Sequence, residues 1–236
     1  MFNEALTEDR IDRWSSASLS RRAAIGVIGG IFAGAVSLGI QRGWAQPAQL
    51  PQQLYLIRHG EKPTDASRPP FGVDVDGNRN PYSLSPKGWQ RAGALAALFS
   101  PAVAPKVGLR TPTALFATAY GDAAVTKIHR PYETLLGLSR RLGVPIESPD
   151  LIGQEAAFAD AVLSSGAEVV LICYEHQRIP ALVRGFPVVD GTAIPPAWPD
   201  DRYDVIWTFA LDPVAGRYVF GQVPQQLLDG DSDTVI

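Results

Sequence analysis

Cysteine, histidine and basic runs are all scarce in this 236-residue chain, and each scarcity removes a class of protein. One cysteine, Cys173, leaves no intrachain disulfide possible, and its place inside an apolar run reads as a small buried hydrophobe. Charged residues make up only 19% of the chain, and no basic stretch suggests a nucleic-acid partner. Apart from an N-terminal pair, the only clustered arginines are Arg140 and Arg141, placed where the last turn of a helix favours cations. No internal repeat is present. What remains, 46% apolar residues and a net charge of −3, suits a globular protein with an ample core.

The N-terminus has its own pattern. Residues 1–22 are polar and end in Ser20-Arg21-Arg22, and an uncharged stretch, Ala23 to Ile40, follows, diluted by Gly26, Gly29, Gly30, Gly34 and Gly39. Small residues then flank Trp44 before Gln46. This order predicts a twin-arginine export signal over residues 1–45, a mature domain over 46–236, and delivery to the periplasm or beyond by the twin-arginine export machinery. The alternative is an uncleaved membrane anchor, for which the stretch is short and weakly apolar.

The chemistry concentrates at Leu54–Glu61, LYLIRHGE. A buried strand breaks off there into Arg58-His59-Gly60-Glu61 and exposes an imidazole. A neutral imidazole attacks phosphorus, a neighbouring guanidinium offers a planar fork of donors to phosphate oxygens, and glycine admits a bulky anion to the backbone. Phosphate chemistry with a small phosphorylated substrate is therefore expected.

After this motif, Lys62–Ser83 is a long polar loop holding Asp74, Asp76, Gly77 and Asn78. The D-V-D-G-N run resembles half a calcium loop but lacks the downstream glutamate, so no metal is expected. Ser85-Pro86 predicts a helix to about Phe99, with Trp89, Ala92, Ala96 and Phe99 facing a sheet. Thr113–Ala119 reads as a strand. His129-Arg130-Pro131 opens a helix to Leu142, ended by Gly143 and buried along Leu135, Leu138 and Leu142, which puts Arg130 at an anion-favouring helix N-terminus.

Pro145–Glu147 reads as a short strand, and Asp150–Ser165 as a helix with Phe158, Ala161 and Val162 inward. Ala167–Tyr174 is a strand covered on both faces, ending at Glu175-His176. Tyr203–Ala210 and Arg217–Val223 read as an edge hairpin; Trp198, Tyr203 and Trp207 are expected to pack, and the tail LLDGDSDTVI to fray. Strands alternating with helices predict an α/β fold with a mostly parallel sheet, whose strand ends would bring Arg58-His59 and His176 together.

LYLIRHGEKP resembles the opening motif of the histidine phosphatase (phosphoglycerate mutase-like) superfamily, and the order strand, R-H-G, helix, second arginine, strand, second histidine extends that resemblance over most of residues 46–236. A small exported phosphatase with a three-layer sandwich is implied. Arg130-Pro-Tyr-Glu-Thr134 is similar to the family's R-x-x-x-T motif, and His176 stands as its second histidine, with Glu175 and Gln177 where glycines are usual. The family's serine or threonine shortly before the second arginine is displaced here to Thr118, and the role of His129 stays open.

The resemblance implies a phosphoryl group carried on His59, with Arg58, Arg130 and His176 as catalytic partners neutralising its oxygens, and neither metal nor other cofactor. Gly60, Glu61 and Glu175 would contact substrate. Glu155 is the favoured general acid; Glu175, Asp74 and Asp76 are rivals. Other readings are a binding protein that has lost turnover, a phosphomutase, and a zinc hydrolase on His59, His129 and His176, the last disfavoured by the neighbouring Arg58 and Arg130.

Overall fold

A computed structural model describes residues 49–101, 106, 108–119, 129–149 and 152–236, all within the compact unit Ala45–Ile236. The expected export signal lies outside the described residues, as does the connection 120–128. Among the described residues no helix is long and apolar enough to cross a membrane.

The elements follow in the order β1 (Gln53–Arg58), α1 (Pro86–Phe99), β2 (Ala114–Ala117), α2 (Arg130–Leu142), β3 (Ile146–Glu147), α3 (Glu155–Leu163), β4 (Val169–Tyr174), α4 (Ile179–Val183), β5 (Val205–Asp212) and β6 (Arg217–Pro224). Six strands form one sheet in the order β3-β2-β4-β1-β5-β6. The first four are mutually parallel, and β5 and β6 close the other side as an antiparallel hairpin. The fold is thus the expected α/β sandwich.

Side-chain alternation along β1 divides the core into two layers. Leu54 and Leu56 face Phe158 and Val162 of α3 and Leu182 of α4; Tyr55 and Ile57 face Leu95 and Phe99 of α1 and Leu135 and Leu138 of α2. A strand covered on both sides needs apolar residues at every position, and β4 is buried throughout, Cys173 included.

Helix ends follow their caps. Ser85 accepts the amide of Gly88 at 3.2 Å and Pro86 begins α1, while Gly143 ends α2 at φ 68°. α3 starts later than its sequence suggests, at Glu155, and buries Ala159 more deeply than Ala161. The short α4 carries no periodicity long enough to announce it.

Two expectations are overturned, those for Trp89 and for the tail. Trp89 is not core: its indole Nε1 donates to the Val73 carbonyl at 2.8 Å and pins the 62–83 loop to α1. In that loop Asp74 Oδ1 accepts the amides of Asp76 (3.0 Å) and Asn78 (2.8 Å), so the calcium-like run is a turn closed on its own carboxylate. The tail is fastened, with Asp231 paired to the buried Arg91 at 2.7 Å and the Ser232 amide donating to Asp204.

Candidate active site

Register brings the two histidines together. Arg58 lies opposite Tyr174 across the parallel β1–β4 ladder, and the His59 amide donates to the Tyr174 carbonyl at 3.2 Å, so the chain leaves both strands at one level of the sheet's carboxyl edge. His59 and His176 meet edge to face, ring centroids 6.3 Å apart.

His59 is only 1% exposed. Its Nδ1 lies 2.7 Å from the Gly60 carbonyl, which accepts and cannot donate, so Nδ1 carries the proton and Nε2 the lone pair. Burial holds the imidazole well below its ordinary pKa; the bond to Gly60 opposes this, and the charges of Arg130, Arg58 and His176 reinforce it. The ring is held neutral and aimed.

Arg58 is fully buried. Its Nη1 donates to the carbonyls of Asp200 (2.6 Å), Pro199 (3.2 Å) and Arg202 (3.2 Å), and the guanidinium lies 3.8 Å over the Tyr203 ring. Nε and Nη2 are buried with no partner among the described residues. Buried donors of a cation are costly to leave unmet, so these two point to an anionic ligand.

Arg130 opens α2 and donates to the Ser83 (3.3 Å) and Pro81 (3.1 Å) carbonyls, fixing its direction while its charge acts on His59. Thr134, one turn on, explains the R-x-x-x-T spacing: its hydroxyl accepts the Gly60 amide at 2.9 Å and donates to the Arg130 carbonyl at 2.7 Å, tying the helix to the R-H-G turn.

His176 sits between two carboxylates. Its Nε2 is 2.5 Å from Asp200 Oδ1, and its Nδ1 is 2.7 Å from Glu175 Oε1 but without hydrogen-bond alignment. The ligand atoms of His59, Glu175 and His176 lie within 4.8 Å of one another, the one such donor group among the described residues. A cation there would stand in the field of Arg58 and Arg130, and the third donor is Glu175, not His129 as the zinc reading requires.

Several assigned residues do other work. The missing Cβ of Gly60 would lie 2.9 Å from the Gly88 carbonyl, so the glycine serves packing against α1, and its amide is occupied by Thr134. Glu61 is held by Arg91, whose Nη2 donates to Oε1 at 2.8 Å. Glu155 turns back to accept the Gly153 amide at 2.9 Å; the carboxylates whose charge acts on Arg58 and Arg130 are Asp200, Glu175, Glu61 and Glu133. Asp74 is committed to its own turn, and Asp76 is exposed. Sequence reasoning missed Asp200, Tyr203 and the buried Glu133, whose Oε2 accepts the Leu84 amide at 2.9 Å. The WPDDRYD segment carried a signal in its density of acids and aromatics, without a spacing to interpret it.

No family model matches the chain, and no curated protein matches it. Among solved structures it is similar to the candidate phosphohistidine phosphatase SixA from Agrobacterium tumefaciens, at 14% identity over 68% of this chain and 92% of that one, TM-score 0.40. It is also similar to a candidate alpha-ribazole-5'-P phosphatase from Escherichia coli, at 11% identity over 77% of this chain and 100% of that one, TM-score 0.42.

Proposed function

We propose that the chain is a phosphatase of the histidine phosphatase type, hydrolysing a phosphate monoester through a phosphohistidine on His59. The observation that carries this reading is the Nδ1 contact with Gly60, which leaves Nε2 as the lone-pair nitrogen of a ring in the field of Arg58, whose Nε and Nη2 are unmet. Nε2 forms a bond to phosphorus as the bond from phosphorus to the ester oxygen breaks. Arg58, Arg130 and His176 meet the charge on the equatorial oxygens, where preorganised donors contribute most.

The departing alkoxide takes a proton from a carboxylic acid. Glu175 replaces Glu155 in that role, because its carboxylate lies within 4.8 Å of a His59 nitrogen whereas Glu155 is turned to Gly153. Water then attacks phosphorus, the P–N bond breaks, phosphate leaves, and the proton of water returns to Glu175. For an exported enzyme, the substrate is a phosphate ester met outside the cytoplasm.

His59→Ala abolishes turnover while the protein stays folded, and rapid acid-free quenching of the wild type traps a phosphohistidine on that residue. A protein that binds without turnover traps none. Glu175→Gln depresses turnover of an alkyl phosphate far more than of an aryl phosphate, whose phenolate leaves unaided; the same selective loss in Glu155→Gln instead would return the role to Glu155. For the export reading, Arg21→Lys with Arg22→Lys leaves full-length precursor in the cytoplasm, and mature protein outside at the normal level would overturn it.

A further inference from the structure

The two ring nitrogens of His176 have different neighbours. Nε2 lies 2.5 Å from Asp200 Oδ1, aligned as a hydrogen bond. Nδ1 lies 2.7 Å from Glu175 Oε1 without that alignment, buried and unmet among the described residues. Nδ1 is therefore the nitrogen left for a ligand.

Asp200 comes from the segment between α4 and β5, and its side chain is 79% exposed where that of His176 is 3%. The contact is nevertheless built in. Arg58 Nη1 holds the carbonyls of Pro199, Asp200 and Arg202, and the Trp198 indole donates to the Arg202 carbonyl at 2.8 Å, so the backbone carrying Asp200 is fixed by the arginine of the R-H-G turn. The bond from His176 and the charge of that ring hold the Asp200 carboxyl below its ordinary pKa, and Lys62 and Arg58 add to this. Near neutral pH the group is a carboxylate, which accepts and cannot donate.

That fixes the protons of the ring. Facing a carboxylate, Nε2 carries a hydrogen, and a neutral imidazole would then turn a lone pair at Nδ1 toward a phosphoryl oxygen. For Nδ1 to donate, both nitrogens must be protonated. An imidazolium here stands edge to face with His59, in a site where Arg58 and Arg130 already place positive charge, so it needs a counter-charge. Glu175 cannot supply it while holding the proton meant for the leaving alkoxide. Among the described residues in contact with the ring, Asp200 is the carboxylate that remains.

We propose that Asp200 is a positioning residue, which holds His176 through Nε2 and keeps the ring an imidazolium, so that Nδ1–H is presented to a phosphoryl oxygen. This role rests on the phosphatase reading and deepens it.

Asp200→Asn keeps the shape and removes the charge; Asp200→Glu restores the charge. Turnover of an aryl phosphate is measured from pH 5.5 to 8.5 in the wild type and both variants. Binding of orthophosphate is followed by calorimetry over the same range in His59→Ala, alone and combined with Asp200→Asn. Ratios between paired proteins cancel the ionisation of the ligand itself. The asparagine variant is expected to lose about fivefold in kcat/KM at pH 8.5, the upper range for an ion pair with an exposed partner. It approaches the wild type at pH 5.5, where an ordinary imidazole takes its proton unaided. Phosphate binding falls with the same pH dependence, and Asp200→Glu recovers part of the lost turnover. A loss equal at every pH marks a merely structural contact and overturns the role, and so does no loss at any pH. Tighter phosphate binding in the Asp200→Asn background also overturns it, since the carboxylate would then compete with the ligand for His176. Absence of turnover with the pH-dependent binding loss intact overturns the phosphatase reading and leaves the role of Asp200 standing; absence of both turnover and binding overturns both.

Discussion

Gly60 and Gly88 press the R-H-G turn against the start of α1, and three alanine substitutions separate this packing from helix propensity. A Cβ on Gly88 would lie 2.4 Å from the Glu61 carbonyl oxygen, and one on Gly60 2.9 Å from the Gly88 carbonyl oxygen, whereas one on Gly93, in the same helix, meets nothing within 4 Å. Alanine gains up to about 1 kcal/mol over glycine inside a helix. Gly93→Ala is therefore expected to stabilise by about 0.5–1 kcal/mol. Gly88→Ala and Gly60→Ala lose about 1–3 kcal/mol, Gly88→Ala the more, because backbone atoms cannot yield as a side chain does. Urea midpoints of the three variants check the order. At this scale the sequence shows R-H-G plainly, since a buried strand broken by charge is a local pattern. It does not show why the glycine is there, because Gly88 lies 28 positions away. Asp200 and Tyr203 were illegible for the same reason: only the return of the chain beside β1 gives them partners.

Arg91 does between elements what glycine does between atoms. It is 2% exposed on α1, and its guanidinium gathers Glu61 from the end of β1, Gln225 after β6 and Asp231 from the tail. The helical spacing of apolar residues in α1 is legible, and a buried arginine amid it is not, since a charged residue on a helix is expected to face water. The tail's acids suggested fraying on the same grounds. Burial raises the Asp231 carboxyl, but its bonds from Arg91 and from the Leu227 and Leu228 amides outweigh that and bring it to about 2. Asp231→Asn keeps the shape and removes the charge; Asp231→Ala removes both and leaves the two amides and two guanidinium donors unmet. A loss of about 2 kcal/mol or more is expected for the alanine, within the range for hydrogen bonds to charged groups, and a smaller one for the asparagine. Equal denaturation midpoints for wild type and Asp231→Ala would remove the tail from the account of stability. The strands themselves, β1 and β4 above all, were legible because a doubly covered strand must be apolar at each position.

Across the whole molecule, the groups that shape the site also set how stability responds to acid. His59 is held well below its unfolded value of 6.5, chiefly by burial, so the unfolded chain binds its proton first as pH falls. Stability from keeping this ring neutral is complete above pH 6.5 and is lost as pH falls toward the folded pKa. Asp231 follows the same sign in a lower window, its contribution present above 3.8 and lost as pH falls through about 2. Glu133 runs the other way: burial raises it above 4.5 against the pull of its bonds and of Arg130, so the native state holds its proton more tightly and stability falls as pH rises through that range. Only His59 among the three begins to act near pH 6.5, which isolates it. Replacing it by glutamine, which has no proton to take up, should leave a constant stability difference from wild type above pH 7. Below 6.5 the wild type loses ground steadily against the variant. Thermal midpoints of both proteins between pH 8 and pH 5 check this. A difference that stays flat through the whole interval would mean that the imidazole gains its proton in the folded protein as readily as in the unfolded chain, and the neutral, preorganised nucleophile would have to be abandoned together with the mechanism built on it.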